Sequence, residues 1–191
     1  MPELLAQLKS LLGSAAQARR SGEADESERL YKEAAAEAKA KDDVARAEAL
    51  MGVAQARRDK GDRVFAAINY AEAITLLRSA NALSQLAFAL RHAADVRSEL
   101  NEFAVASSHI EEAVRLYRTL ITTDEAAPLD LANALRVSAL IGEREGHASW
   151  LEACDIYTAL SLTEGVTECN EHLERLNRPA ASVQRTQETH A

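Results

Sequence analysis

A frame of residues that occurs three times, about 40 residues apart, limits what this chain can fold into. Each copy centres on a turn residue followed by an acidic residue, at Gly22, Gly61 and Asn101, which lie 39 and 40 residues apart. A small residue lies seven positions before each turn, and small, bulky and small residues lie five, nine and twelve positions after it. The matching positions are Ala15, Ser27, Tyr31, Ala34; Ala54, Ala66, Tyr70, Ala73; and Ala94, Ala106, Ile110, Ala113.

The apolar spacing on both sides of each turn is that of a helix. Before Gly61, the residues Leu50, Val53 and Ala54 repeat at three and four positions, and a second apolar stripe follows the turn. The chain contains only 3 prolines, 7 glycines and 4% aromatic residues, a composition that favours helices over sheets. A pair of short helices cannot bury both of its faces, so each hairpin needs a neighbouring copy. The sequence therefore predicts an all-α repeat protein.

This frame resembles the tetratricopeptide repeat (TPR), in which small residues lie where paired helices touch and a glycine-acidic turn joins them. The resemblance covers roughly residues 4–160 and implies a right-handed α-α superhelix, a solenoid of about four TPR-like helical hairpins with a C-terminal capping helix. Two features depart from the family. The period exceeds the usual value of about 34 residues, and Lys39, Arg78 and Arg118 replace the proline that ends the second helix.

The predicted repeat domain spans 1–177, with repeats at about 4–41, 44–78, 82–121 and 129–162, a capping helix at 166–177 and a disordered tail at 178–191. Gly146 is the fourth predicted turn. After it the frame slips by two residues, so that Ala153 and Tyr157 take the packing positions. We expect Gly165 to end the eighth helix. Trp150 has two interpretations: it covers the last hairpin, or it anchors a partner.

Charge and composition exclude several classes of function. The net charge of −8 argues against binding to nucleic acid or to an anionic membrane surface. No apolar run approaches the roughly 18 residues of a membrane span, and no signal peptide is visible at the start. Two cysteines are too few for a disulfide framework. The sequence therefore predicts a cytoplasmic protein with reduced thiols.

No catalytic or metal-binding motif is present. The sequence lacks a glycine-rich phosphate loop, GxSxG, HExxH and CxxC, which predicts a protein that is not an enzyme and has no cofactor. Glu168, Cys169 and His172 are too few for a zinc site, and Cys169 fits an apolar stripe. His92 and Asp95 lie three residues apart, which favours a surface pair over half a metal site.

The resemblance implies that the first helix of each hairpin lines a concave face, on which extended peptides bind. Arginines recur on this predicted face, whereas many acidic residues lie on the second helices, which predicts a locally basic groove for an acidic segment. The alternative is that these arginines pair with neighbouring acids such as Glu48, Asp59 and Glu99. The candidate peptide- or protein-binding residues are Arg19, Met51, Gln55, Arg58, Phe88, Arg91, His92, Asp95, Asn133 and Arg136.

Three functions are compatible with this sequence. The first is a protein–protein interaction scaffold that holds a peptide or protein segment in the concave groove. The second is a self-associating assembly module, because the leucine-rich first helix has no preceding repeat to cover it. The third is a small-ligand sensor with a pocket among Phe88, His92 and Asn133. The recurrent tyrosines Tyr31, Tyr70 and Tyr117 are expected to pack in the hairpin cores with their hydroxyls in water.

Overall fold

A computed structural model describes residues 2–38, 42–123, 126–142 and 146–178. These residues form an all-α helical repeat solenoid, with nine helices and no strand within the described ranges. The helices are α1 (Pro2–Arg20), α2 (Ala24–Ala38), α3 (Asp43–Asp59), α4 (Arg63–Ser79), α5 (Leu83–Glu99), α6 (Phe103–Thr122), α7 (Pro128–Gly142), α8 (His147–Ala159) and α9 (Thr163–Asn177). The predicted fold class is confirmed, and the predicted tail lies outside the described residues except for Arg178.

Each helix packs mainly against the helices before and after it in the chain, as a stack of hairpins requires. The first helices of the hairpins also touch one another, α1 with α3, α3 with α5, and α5 with α7. The second helices approach one another less closely. The helices therefore form two layers, and the layer of first helices is the tighter one, as expected on the inner side of a curved stack.

The repeated small residues lie where the helices of each hairpin meet. All of the small frame positions are fully buried, and the bulky positions Tyr31, Tyr70 and Ile110 are at most 7% exposed. The hydroxyl of Ser27 donates a hydrogen bond to the carbonyl oxygen of Ala15 at 3.0 Å, so this polar side chain is satisfied within the contact. The frame read from the sequence is thus the helix–helix contact surface.

The same turn joins helices both within hairpins and between them. A residue with positive φ follows the helix, and the next N–H reaches back to a carbonyl five residues earlier, which is the Schellman motif. This turn occurs at Gly22, Gly61 and Asn101, as predicted, and also at Asn81 and Ser161 between hairpins. Because the left-handed region favours glycine and tolerates asparagine, Ser161 (φ 58°) is the least suited of the five.

Replacing Ser161 with glycine is expected to raise the free energy of unfolding by about 0.5–1 kcal/mol, since it removes a Cβ from a left-handed position. Urea unfolding followed by circular dichroism would measure the change. Ser161→Ala keeps the Cβ and should give no gain. A glycine variant less stable than the parent would contradict this account of the turn.

Gly146 has a different role from the other turn glycines. Its φ is −69°, in the right-handed region, and a Cβ here would overlap the backbone of Ala139 in α7. The residue is therefore glycine because two backbones approach closely. The predicted slip is present after it: Ala153 and Tyr157 are buried, while Leu151 is exposed. The prediction for Gly165 is wrong, because α8 ends at Ala159 and Gly165 lies inside α9, with its Cα against the ring of Tyr157.

Ion pairs between second helices occupy the positions where the TPR family has proline. Arg78 at the end of α4 pairs with Glu112 of α6 at 2.8 Å, and Arg118 of α6 pairs with Glu152 of α8 at 2.6 Å. The third such position, Lys39, lies outside the described residues. These cations therefore link one hairpin to the next across the outer layer.

The last helix covers the end of the stack. Cys169 of α9 is fully buried, and Val166, Leu173 and Leu176 pack against the core from the same helix. Trp150 is 1% exposed and its ring stacks on that of His172 at 4.2 Å. The first interpretation of Trp150, that it covers the C-terminal hairpin, is confirmed.

Candidate functional site

The candidate residues lie on one face, formed by the exposed sides of α1, α3, α5 and α7, which we call the first-helix face. All of the candidates except Met51 are partly exposed there. Met51 is buried, at 6% exposure, but it lines a cavity that opens on this face. The register counted from the turns therefore places the candidates together.

At the N-terminal end of this face, Arg19 is held by α3. Its Nε donates to Asp59 Oδ2 at 2.6 Å and its Nη2 donates to Asp59 Oδ1 at 3.2 Å. Its remaining nitrogen, Nη1, donates to Gln55 Oε1 at 3.1 Å. The two-point contact with one carboxylate is the strong arginine geometry, so the guanidinium of Arg19 is fully engaged within the protein.

Arg58 of α3 is held in the same way by α5. Its Nη2 lies 2.6 Å from Asp95 Oδ2, and its Nε donates to Glu99 Oε1 at 3.1 Å. Glu99 also accepts from Arg63 Nε at 2.8 Å, and these two arginines lower the pKa of Glu99 against the effect of burial. The pair predicted between His92 and Asp95 is not formed, because Asp95 turns to Arg58.

The C-terminal end repeats the arrangement with the capping helix. Arg136 of α7 donates from Nη1 to Glu168 Oε1 of α9 at 2.9 Å. Beside it, the hydroxyl of Tyr157 donates to Asn133 Oδ1 at 2.9 Å. Sequence reasoning did not identify Glu168 as a partner of Arg136. Their separation of 32 residues differs from the spacing in the earlier pairs, so the repeat did not point to it.

Arg91 of α5 differs from the other three arginines of this face. No carboxylate of the described residues forms an ion pair with it, and its buried Nε has no hydrogen-bond partner there. Its Nη2 lies 3.0 Å from His92 Nε2, and its guanidinium lies over the ring of Phe88, 5.3 Å from the centroid. The centre of the face thus carries a positive charge that the described residues leave uncompensated.

The groups around Arg91 are polar, neutral and short of partners. Burial, with the charges of Arg91, Arg58 and Arg19, lowers the pKa of His92 to about 3, so the ring is neutral and its Nε2 can accept from Arg91. The hydroxyls of Tyr70 and Tyr117 are buried and make no hydrogen bond of good geometry among the described residues, although Gln55 lies beside the first and Arg91 beside the second. The expectation that these hydroxyls reach water is therefore wrong for Tyr70 and Tyr117. Burial raises the pKa of both phenols, and the charge of Arg91 opposes that effect.

Cavities open along the first-helix face on both sides of Arg91. One of about 520 Å³ lies between α1, α3 and Phe88, with Tyr31 and Gly52 in its lining. A smaller one of about 260 Å³ lies between Arg19, Arg58 and His92. A third, of about 600 Å³, lies between α7 and α9 around Arg136. The face therefore offers separated hollows along its length, which suits an extended ligand better than a compact one.

Within the described ranges there is no cluster of three or more histidine, cysteine, aspartate or glutamate side chains that could hold a metal ion. No described helix has the length and hydrophobicity needed to cross a membrane. Cys154 and Cys169 are free thiols, and burial, together with the neighbouring Cys154, raises the pKa of Cys169 to about 11.

Comparison with known proteins supports the fold through structure and not through sequence. No family model matches the chain, and no curated protein matches it by sequence. The crystal structure of BtubC (BKLC) from P. vanneervenii is similar, with a TM-score of 0.61 and 15% identity over 94% of this chain and 87% of that one. So is that of a Podosopora anserina kinesin light chain with nearly identical TPR-like repeats, with a TM-score of 0.52 and 14% identity over 94% and 98%. At this identity the likeness shows a TPR-like fold.

Proposed function

We propose that this protein is an interaction scaffold that binds an acidic protein segment along its first-helix face. TPR-like repeat folds are commonly protein-interaction scaffolds. The observation that carries the proposal is Arg91, a half-buried guanidinium at the centre of the face with no carboxylate partner among the described residues. A partly buried charge without a counter-charge is costly, and a carboxylate from a partner would offset that cost.

The other arginines of the face support a preformed site more than they supply binding groups. Arg19, Arg58 and Arg136 each pair with a carboxylate of the next first helix or of the cap, so they fix the spacing of the helices on either side of Arg91. A rigid face loses little freedom when a ligand docks, and only the segment becomes ordered. The proposed action is therefore positional and involves no chemical step. We also infer a cytoplasmic location, because both thiols are free.

Arg91→Gln is expected to weaken binding of acidic peptides by about tenfold or more, because one charge-assisted hydrogen-bonding group is lost from the partly buried centre of the face. The purified chain would be tested on an array of short peptides of random sequence, and the strongest binders would be measured by fluorescence polarisation. Circular dichroism would check that the helix content is unchanged.

Arg115→Gln is the matched control. Arg115 is an exposed arginine of α6 that forms no ion pair within the described ranges, and it lies in the layer of second helices. Its replacement removes the same charge from the other layer and should change binding by less than about twofold. Equal binding by the parent chain and Arg91→Gln would contradict the proposal, as would an array on which no peptide binds.

A further inference from the structure

We infer that the segment bound on the first-helix face presents one carboxylate side chain to Arg91, and that additional acidic residues in it oppose binding. This inference rests on the proposed function and limits the acidity of the bound segment to a single carboxylate. It follows from how the charges of the face are already paired, and not from the number of arginines.

The other three candidate arginines of the first-helix face are neutralised inside the protein. Asp59 compensates Arg19, Glu168 compensates Arg136, and Asp95 with Glu99 compensates Arg58 and Arg63. The cavities at the two ends of the face are lined by groups of both signs, including Lys9 and Glu48 at one end and Arg136 and Glu164 at the other. Arg20 at the end of α1 donates only to Gln17 and also has no carboxylate partner among the described residues, but it is exposed, where an ion pair contributes little. A ligand therefore meets one partly buried guanidinium that the described residues leave without a counter-charge, and one monovalent anion matches it.

The carboxylates that flank Arg91 set the penalty for further negative charge. Asp95 lies on the same helix one turn away, and Asp130 of α7 acts on the neighbouring Tyr117, raising its pKa, yet forms no ion pair with Arg91. A second acidic side chain would have to displace Asp95 from Arg58, or lie beside Asp95 or Asp130 without a counter-charge. A run of acidic residues is thus a worse ligand than a single one.

The single unpaired positive charge at Arg91 also favours a carboxylate over a phosphate. A phosphorylated side chain carries a charge of about −1.5 to −2 at neutral pH, which exceeds the single positive charge left on the face. The buried hydroxyls of Tyr70 and Tyr117 and the neutral ring of His92 add polar groups around Arg91 but no charge. We therefore expect glutamate or aspartate to be preferred over phosphoserine at this position.

The test uses pools of short peptides with one uncharged background and zero, one, two or four glutamates, and a further pool with one phosphoserine. Binding of the full chain to each pool would be measured by fluorescence polarisation. The pool with one glutamate should bind about tenfold more tightly than the neutral pool, and more tightly than the pools with four glutamates or phosphoserine.

A variant that leaves a second arginine of the face without its carboxylate partner tests the inference directly. Glu168→Gln releases Arg136, so the preferred number of glutamates should move from one to two, whereas Arg91→Gln should abolish the preference. Asp59→Asn, which releases Arg19, gives the same test at the other end of the face if Glu168→Gln fails to fold. A variant that acted only by loosening the structure would lower all affinities and leave the optimum in place.

The outcomes separate this inference from the proposed function. Affinity that rises steadily with the number of glutamates would overturn the inference, as would an optimum that stays at one after Arg136 or Arg19 is released. Equal binding of the neutral and one-glutamate pools would also overturn it, while binding along the face stands. Binding by no pool would overturn the proposed function and this inference together.

Discussion

Replacing Glu28 with glutamine is expected to lower the free energy of unfolding by about 3 kcal/mol, because it removes the shared counter-charge of three cations. Glu28 of α2 is 6% exposed. Its carboxylate accepts from Arg57 at 3.1 Å and from Lys60 at 2.9 Å, and it lies 2.5 Å from the ammonium of Lys32. Urea unfolding would measure the loss.

Glu26 provides the control two residues away. Its carboxylate pairs with Arg29 at 2.7 Å on the exposed side of the same helix. Glu26→Gln should leave the urea midpoint almost unchanged, because exposed ion pairs contribute little. Similar losses from the two variants would show that Glu28 stabilises the α2–α3 contact no more than a surface pair does.

The acid dependence of stability follows from the same carboxylate. Its hydrogen bonds with Lys32 and Lys60 and the charges around it lower the pKa of Glu28 from 4.5 to about 2, against the effect of burial. A lowered folded-state pKa means that the stabilisation is complete above the unfolded pKa of about 4.5 and is lost as the pH falls towards 2. The stability of Glu28→Gln should therefore fall less between pH 4.5 and 2 than that of the parent.

Gly52→Ala is expected to destabilise the protein by about 2 kcal/mol, although alanine favours a helix over glycine. A Cβ at Gly52 would overlap the ring of Tyr31, which is itself buried and cannot move freely. Gly13 lies 39 residues earlier, at the equivalent position of the first hairpin, and nothing lies within 4 Å of a Cβ built there. Gly13→Ala should therefore stabilise by about 0.5–1 kcal/mol.

The opposite signs at equivalent positions are the essential result, and thermal and urea unfolding of both variants would measure them. Equal effects at the two positions would mean that helix propensity, and not the contact between Tyr31 and α3, decides the outcome.

The helix–helix contacts could be predicted from the sequence because the residues that form them repeat locally. Ala54, Ala66 and Ala73 are small because the two helices of one hairpin touch there. Their positions could therefore be counted from Gly61 alone. The turns at Asn81 and Ser161 were not predicted as left-handed, because the repeated frame was counted only at turns within hairpins. Asparagine tolerates this conformation, so Asn81 carried a local signal, whereas Ser161 carried none.

The ion pairs of the first-helix face could be predicted only in part. Asp59 and Glu99 were named as possible partners of the arginines, and both are ion-paired. His92 was placed in a surface pair, yet it packs between Tyr70 of α4 and Phe88 of its own helix, because α4 packs against α5 at this point. Arg91 is the one candidate arginine without a carboxylate partner among the described residues. This depends on which acids face which helix, and no spacing rule reports it.

The shared turn makes this chain a template for longer arrays. The segment from Asp62 to Asn101 begins after one left-handed residue and ends on another, and it contains α4 and α5, one helix from each layer. A second copy inserted after Asn101 would be joined at both ends by the native connection and would keep the layers alternating. Tandem duplication could thus lengthen the molecule without the design of a new loop.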